Sequence, residues 1–513
     1  PTSTEGPGSP ESASGNEAAA VLNGLYAALP VANGVKEVAT AEELTDALAD
    51  SSISIITLKD DVEISSTLTV NRTVTLDLNG NVLKMTGSDS VIKVEADGDL
   101  TIQDRNTTTQ HTFNPHCKYQ FWYIDMWELD KDGSEIVSGG VITGGGGDQN
   151  NGGGVLVAGG TLTMAGGSIV GCSARSRGGG VYLGKDSDTG KSGTFIMTSG
   201  SIIGCAAQLG GGVYVTSGCT FVMATSSNIH NCIANNDGGG VINHGTFQMR
   251  GGTISTCTTV AFGGGGVCNN GTFIMSDGMI KGCTSPDGQY ASGGGVRNSN
   301  QFTMTGGMIG DPDNENDASH VYNTSSQETT LTISGNAKIY TDITNVGILN
   351  ADGGEIAGTM TNDTNRYGTG SEGAAGSTEF HGKVTNTGTI RKGTFKNEVI
   401  NESSGTINGG TFTGAITNND GMVLDGDFSG ATLNGMLVIT FDPNNGDQPS
   451  TQKVNWSKDG AALTAPDPVP TNEGHSIEGW YYDNNGTETK WNFDTDTVKC
   501  TMTLKAKWEL STY

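Results

Sequence analysis

The stretch GGGVINHGTFQMRGGTISTC, Gly238 to Cys257, holds six glycines, one Phe, one Met and one Cys. Taken alone it could be a flexible low-complexity tract. Beside its neighbours it is one unit of a repeat. Aligned on GGGV, six copies place Val155, Val181, Val213, Val241, Val267 and Val296 at intervals of 26 to 32 residues. A second element follows each one: TLTM, TFIM, TFVM, TFQM, TFIM and QFTM. It sets Leu162, Phe195, Phe221, Phe247, Phe273 and Phe302 in line, each with a Met two residues on. A turn and then Ile169, Ile202, Ile229, Ile254, Ile280 or Ile309 completes the unit. The first five copies close on Cys172, Cys205, Cys232, Cys257 and Cys283.

Alternation of apolar and polar residues means strands with one face buried. Three short strands per unit, repeated in register, predict an all-β fold: a right-handed parallel β-helix solenoid whose rungs stack like on like. Glycines supply the corners with φ > 0 that a Cβ resists. The five closing cysteines fall in line with the Val, Phe, Met and Ile ladders. They are expected in the core as small hydrophobes rather than as a metal ladder or reactive thiols. A disulfide between neighbouring rungs stays open, because neighbouring strands lie about 4.8 Å apart.

Composition supports periodic rather than disordered glycine. Gly makes up 80 of 513 residues, far above the roughly 7% of an average protein. A net charge of −28 excludes a basic nucleic-acid face and disfavours anionic membranes. No run of about 18 apolar residues is present, so no transmembrane helix is expected. The nine cysteines do not form CxxC pairs. The chain opens at Pro1 and reads as a mature or trimmed piece, with targeting and anchoring segments lying outside it.

Residues 1–34 read as a disordered linker. TAEELTDALAD, Thr40 to Asp50, reads as a short helix with a Thr cap and an acidic first turn. It is placed to cover the open end of a coil spanning 35–330. An insertion at 105–135 interrupts that coil and concentrates Phe113, Tyr119, Phe121, Trp122, Tyr123 and Trp127. A narrower continuation covers 331–435, where Asn345, Asn386, Asn401 and Asn418 precede turns and are expected to satisfy backbone groups. From Met436 the glycine triplets stop, and 436–510 reads as a separate module.

That module closely resembles the Listeria–Bacteroides repeat, the B-repeat of listerial internalin-type surface proteins. The likeness rests on ITFDPNNG, APDPVPTNEGHSIEGWYYD, WNFDTDTV and MTLKAKW. It implies a small β-grasp-like unit of extracellular proteins, with Trp480, Trp491 and Trp508 in its core. Ile477 stands where that family usually has Phe. The coil, through TVTLDLNGNVLKM and GGVITGG, resembles the pectate-lyase-like coils of large surface proteins from gut Firmicutes. That resemblance covers roughly residues 50–310 and implies an adhesin.

Three function classes follow. The first is a cell-surface adhesin, extracellular, binding a host or community glycan or glycoprotein, or another extracellular protein, through the coil's lateral face. Its candidate ligand-binding residues are Tyr119, Trp122, Tyr123 and Trp127 on the insertion, and Tyr182 with Tyr214 on successive GGGVY strands. The bland alternatives are a local mini-core and an ordinary surface ladder. The second class is a carbohydrate-active enzyme, a polysaccharide lyase or glycoside hydrolase. Hydrolysis needs two carboxylates about 5–9.5 Å apart, and residues 152–310 carry only Asp186, Asp188, Asp237, Asp277 and Asp287, with no recurring position. No catalytic residue is assigned. Arg175, Arg177, Arg250 and Arg297 scatter in the same way. The third class is a structural stalk or spacer. For cofactors the expectation is none, with calcium at Asp311, Asp313 and Asp317 as an option beside a plain acidic loop. Zinc at His111, His116 and Cys117 lacks a fourth ligand.

Overall fold

A computed structural model describes residues 34–118, 125–146, 151–286, 293–314, 317–324, 329–362, 378–484 and 486–511. Residues 1–33 of the tract read as a linker, and the rings of Tyr119, Phe121, Trp122 and Tyr123, lie outside them.

The chain forms a parallel β-helix. One sheet runs from Leu68–Val70 through Val155–Ala158, Val181–Gly184, Val241–Asn243 and Val296–Asn298 to Ala415–Asn418, always parallel and in register. The TFxM element and the following Ile are not separate strands in most rungs. They merge into one long strand, such as Thr246–Ser255, whose register shifts between Arg250 and Thr253. A third, shorter sheet follows the cysteines: Ser173–Arg177, Ala206–Leu209, Ile233–Asp237 and Thr258–Thr259. The repeat alignment did not separate this sheet as an element.

The glycine triplet has a different reason at each end. Gly238 turns with φ 68°, and a Cβ there would lie 2.7 Å from the Val241 carbonyl oxygen. Gly240 faces inward, where a Cβ would meet the next rung's Gly266 oxygen at 2.6 Å and Cys257 Sγ at 3.3 Å. Any side chain there would push the rungs apart.

Inside, Phe195, Phe221, Phe247, Phe273 and Phe302 are fully buried and stack with centroids 4.8, 4.8, 4.8 and 4.5 Å apart. Met164 to Met304, Ile169 to Ile309 and all five closing cysteines are equally buried. The cysteines are free thiols. A second ring ladder, Phe380, Phe395, Phe412 and Phe428, fills the narrower part.

At the edge of the first sheet, nine asparagines from Asn243 to Asn418 form a continuous ladder. Each side-chain amide donates to the next rung's amide oxygen, as from Asn243 to Asn269 and from Asn269 to Asn298 at 2.8 Å. All nine are essentially fully buried. They also bond backbone at the turn, as Gly245 N–H does to Asn243 Oδ1 at 3.1 Å. Buried amides are tolerated because each is tied into the ladder by side-chain hydrogen bonds, several with backbone bonds at the turn as well.

The helix spans Ala41–Ala49. Thr40 accepts from the Glu43 N–H at 3.2 Å, and Leu44 and Ala47 are buried against the first strands. At the other end one strand, Thr432–Asp442, begins as a coil rung on Ala415–Asn418 and then pairs antiparallel with Ser450–Asn455. Coil and C-terminal module thus share a strand rather than a linker. Phe428 meets Trp456 edge-on at 5.1 Å, and Thr501 bonds Val423 from both sides. The module is a mixed sheet over a core that includes Trp480 and Trp491; Trp508 packs against that core only partly buried.

Candidate functional site

The insertion folds as a three-stranded antiparallel sheet of Asp125–Leu129, Gln110–Lys118 and Glu135–Ser138. Two of its rings are packed against the coil. Phe113 is fully buried, and Trp127 is only 7% exposed, packed with Val137, Val170 and Ile203. Trp127 therefore packs into a local mini-core and leaves only a small part of its ring to the cleft described below. The apolar patch it covers on the coil outweighs any gain from leaving the ring in water.

Trp127 also explains a change of residue along the coil. The corner before each closing cysteine is left-handed: Gly171 (φ 59°), Gly204 (57°), Asn231 (56°), Thr256 (51°) and Gly282 (60°). A Cβ on Gly171 or Gly204 would collide with Trp127, so only glycine fits beneath the insertion. At the next two corners side chains reappear. A β-branched residue at φ 51° is an outlier that costs free energy. Thr256 Oγ1 donates to Asn231 Oδ1 at 2.6 Å.

These two corners form the coil side of a cleft of about 380 Å³. The insertion side supplies His116, Asp125, Trp127 and Glu135, and Thr258 extends the floor. His116 Nδ1 lies 3.9 Å from the Asp125 carboxylate. Beneath, His230 meets Trp127 edge-on at 6.3 Å, and burial holds its imidazole below the usual range. Hydroxyl, amide, carboxylate and imidazole groups around an apolar ring are the chemistry that orients a polyhydroxylated ligand.

A second lateral feature lies where the short third sheet faces the first. Tyr182 and Tyr214 point out of the coil as expected and stack at 5.5 Å. They are not free platforms: Tyr214 is only 7% exposed, with Arg177 5.4 Å over its ring and His244 at 5.5 Å. Asp237 and Arg297, scattered in sequence, meet at 3.6 Å beside Cys268. Burial raises the Asp237 carboxyl above its usual range, and pushes the Cys268 thiol up to about 12.

The acidic loop gives calcium no support. Asp317 is buried and accepts from the N–H groups of Gly282, Asp311 and Ser319, while Asp311 pairs with Lys281 at 3.0 Å. Asp313 only closes a turn onto Asp311. His111 bonds the Gly80 carbonyl at 3.0 Å, away from His116. Among the described residues no three His, Cys, Asp or Glu side chains converge. A larger cleft of about 550 Å³ on the C-terminal module is lined by Tyr481, but Lys507 lies 4.9 Å over that ring and Glu478 holds its hydroxyl.

Two family models match parts of this chain. Residues 438–507 match the Listeria-Bacteroides repeat domain, and residues 35–144 match the "Putative pectate lyase-like adhesive domain". Two proteins of Evansella cellulosilytica are similar over short segments. One, a "Putative Gly-rich membrane protein", is 45% identical over 76 residues, 15% of this chain and 8% of that protein. The other, a "Putative membrane protein", is 41% identical over 78 residues, 15% of this chain and 11% of that protein. The matched segments are thus small parts of both relatives. No solved structure matches this chain. Among the described residues no helix is long and apolar enough to cross a membrane. An adhesive-type coil start and a surface-type repeat together suggest an adhesin-like extracellular protein.

Proposed function

We propose that the protein is an extracellular adhesin that binds a glycan, free or on a glycoprotein, in the cleft between the insertion and the coil. The observation that carries this is the pair of corners at Asn231 and Thr256. The repeat uses glycine at the three other left-handed corners before a closing cysteine. Here it keeps two polar side chains at the two positions that line the cleft, one of them, the β-branched Thr256, at a cost in backbone strain.

The same observation supplies a clean test. Asn231→Gly with Thr256→Gly restores the residue used in neighbouring rungs, so the variant is expected to fold with unchanged or slightly higher stability. It should lose glycan binding on an array that the parent chain binds. Equal binding by both proteins would remove the cleft from the function.

A second reading, glycoside hydrolysis, is favoured by one feature: the cleft holds two carboxylates, Asp125 and Glu135. Turnover of a bound polysaccharide, abolished by Glu135→Gln, would establish it over adhesion.

A further inference from the structure

The groove on the other lateral face differs from the cleft in charge. Its floor is the outward row of the first sheet: Tyr182, Tyr214, Ile242, Cys268 and Arg297 on successive rungs. Its wall is the short third sheet, where Arg177, Leu209 and Asp237 align across three rungs. The first glycine of each triplet folds wall onto floor, as Gly238 does against Ile242.

Two guanidinium groups and one carboxylate face this groove, in a chain whose net charge is −28. Arg177 is exposed, lies over the Tyr214 ring, and among the described residues pairs with no carboxylate. Arg297 reaches Asp237 with one terminal nitrogen, while its buried Nε finds no acceptor. A buried donor without a partner costs free energy and calls for an explanation. His244 stands between the two stations. Burial lowers its pKa first and Arg177 lowers it further, with Asp237 opposing them.

We propose that this groove binds a carboxylate-bearing sugar, with the Arg177 guanidinium gripping the carboxylate. A guanidinium presents two parallel N–H groups that match a carboxylate in plane. The Tyr182–Tyr214 stack holds Arg177 in place and offers phenol edges to the ring. Two rungs along the wall, ~10 Å away, Asp237 supplies an acceptor, and the Arg297 guanidinium, reaching back to it from a later floor strand, supplies a donor for hydroxyls of the next residue. The local positive charge draws an anion to this face and no other part of the described coil needs to change. This site is separate from the cleft and does not rest on the reading given for it.

The test uses the whole chain and three probes: 3′-sialyllactose, a hyaluronan hexasaccharide whose acid is a uronate, and neutral lactose. Calorimetry should show binding of one acidic probe, weakened by salt, and none of lactose. Arg177→Gln should weaken it at least about tenfold, the scale of one lost charge-assisted contact. Arg177→Lys should fall between, keeping the charge but losing the fork. The Asn231→Gly/Thr256→Gly variant should bind the acidic probe as the parent does. Binding of sialyllactose alone assigns a sialic acid, and of the hexasaccharide alone a uronic acid. No binding of either acidic probe, equal binding of lactose, or an Arg177→Gln variant with parental affinity and parental melting overturns the proposal.

Discussion

Replacing Phe247 by Ala tests the core ladder at its centre. The ring is fully buried, and its neighbours Phe221 and Phe273 lie 4.8 Å away on either side, at 5° and 3°. Deleting a buried Phe side chain costs about 3–5 kcal/mol. Each aromatic contact within that sum is worth about 0.5–1.5 kcal/mol. Phe195, equally buried, has Phe221 on one side only and Leu162 on the other. Phe195→Ala should therefore cost less than Phe247→Ala by about one aromatic contact, 0.5–1.5 kcal/mol. A long solenoid need not unfold in one step, so a single global melt is the wrong measurement. Hydrogen exchange read by mass spectrometry on peptides spanning Thr194–Ile203 and Thr246–Ser255 reports the local opening free energy. Equal losses at the two sites would refute ring stacking as a separate contribution. A loss under about 1 kcal/mol at Phe247 would refute its place in a packed core.

Asn298→Ala breaks the amide ladder in its middle, leaving a donor on Asn269 and an acceptor on Asn323 unmet. Each buried orphan should cost about 1–3 kcal/mol. Asn418→Ala, at the ladder's end, leaves one ladder neighbour unmet, the Asn401 donor, beside the Gly421 and Met436 carbonyls that Asn418 also holds, and should cost less than Asn298→Ala by about one ladder bond in the same exchange experiment. Alkylation of the native chain at mildly alkaline pH should label the half-buried Cys500 before Cys232 and Cys257, whose thiols are fully buried and pushed up by that burial; mass spectrometry showing a ladder cysteine labelled as fast as Cys500 would contradict the packing. His230 and His244 are both held below their ordinary value of 6.5 by burial. The unfolded chain then binds more protons than the folded one, so stability is complete above pH 6.5 and falls as pH drops through 6.5 toward the folded-state values. His230→Gln with His244→Gln should flatten the pH dependence of the local opening free energy, read by hydrogen exchange on peptides spanning the two residues between pH 5 and 7, and an unchanged slope would refute this assignment.

The coil was legible because its ladders obey one constraint. Identical rungs stack in register, so a residue that fits once fits each time, and Phe, Met, Ile and Cys recur at fixed offsets. The asparagine ladder was only half visible. Asn345, Asn386, Asn401 and Asn418 stood out in the narrower rungs, where little else recurs, whereas Asn243, Asn269 and Asn298 were masked by the stronger Phe and Met signal beside them. Their mutual bonding is a relation across rungs that no single turn displays. The third sheet escaped because its sequences, SARSR, AAQL and IANND, share no residue type beyond a small apolar centre. The packing of Trp127 was hidden for a related reason: a ring on an insertion has no repeat partner to show which way it faces. Asp237 and Arg297 were dismissed as scattered because they belong to different sheets and rungs, and only the fold of wall onto floor joins them.

The departures from the repeat have separable causes. Gly171 and Gly204 stay glycine because Trp127 fills the space a Cβ needs, while Asn231 and Thr256 carry side chains at the same corner of the next two rungs. On the outward row, Tyr182 and Tyr214 can be accounted for by mutual stacking alone, but Arg297 cannot, since its pairing leaves a buried nitrogen unmet. A core this regular leaves few ways to accommodate strain, so each local cost it retains marks a position set by something outside the core. The shared strand at Thr432–Asp442 and the Phe428–Trp456 contact then give these lateral positions mechanical meaning. A force applied to the C-terminal module would pass into the coil through a continuous hydrogen-bonded strand, so a ligand bound at either proposed site would sit at a fixed offset from that module.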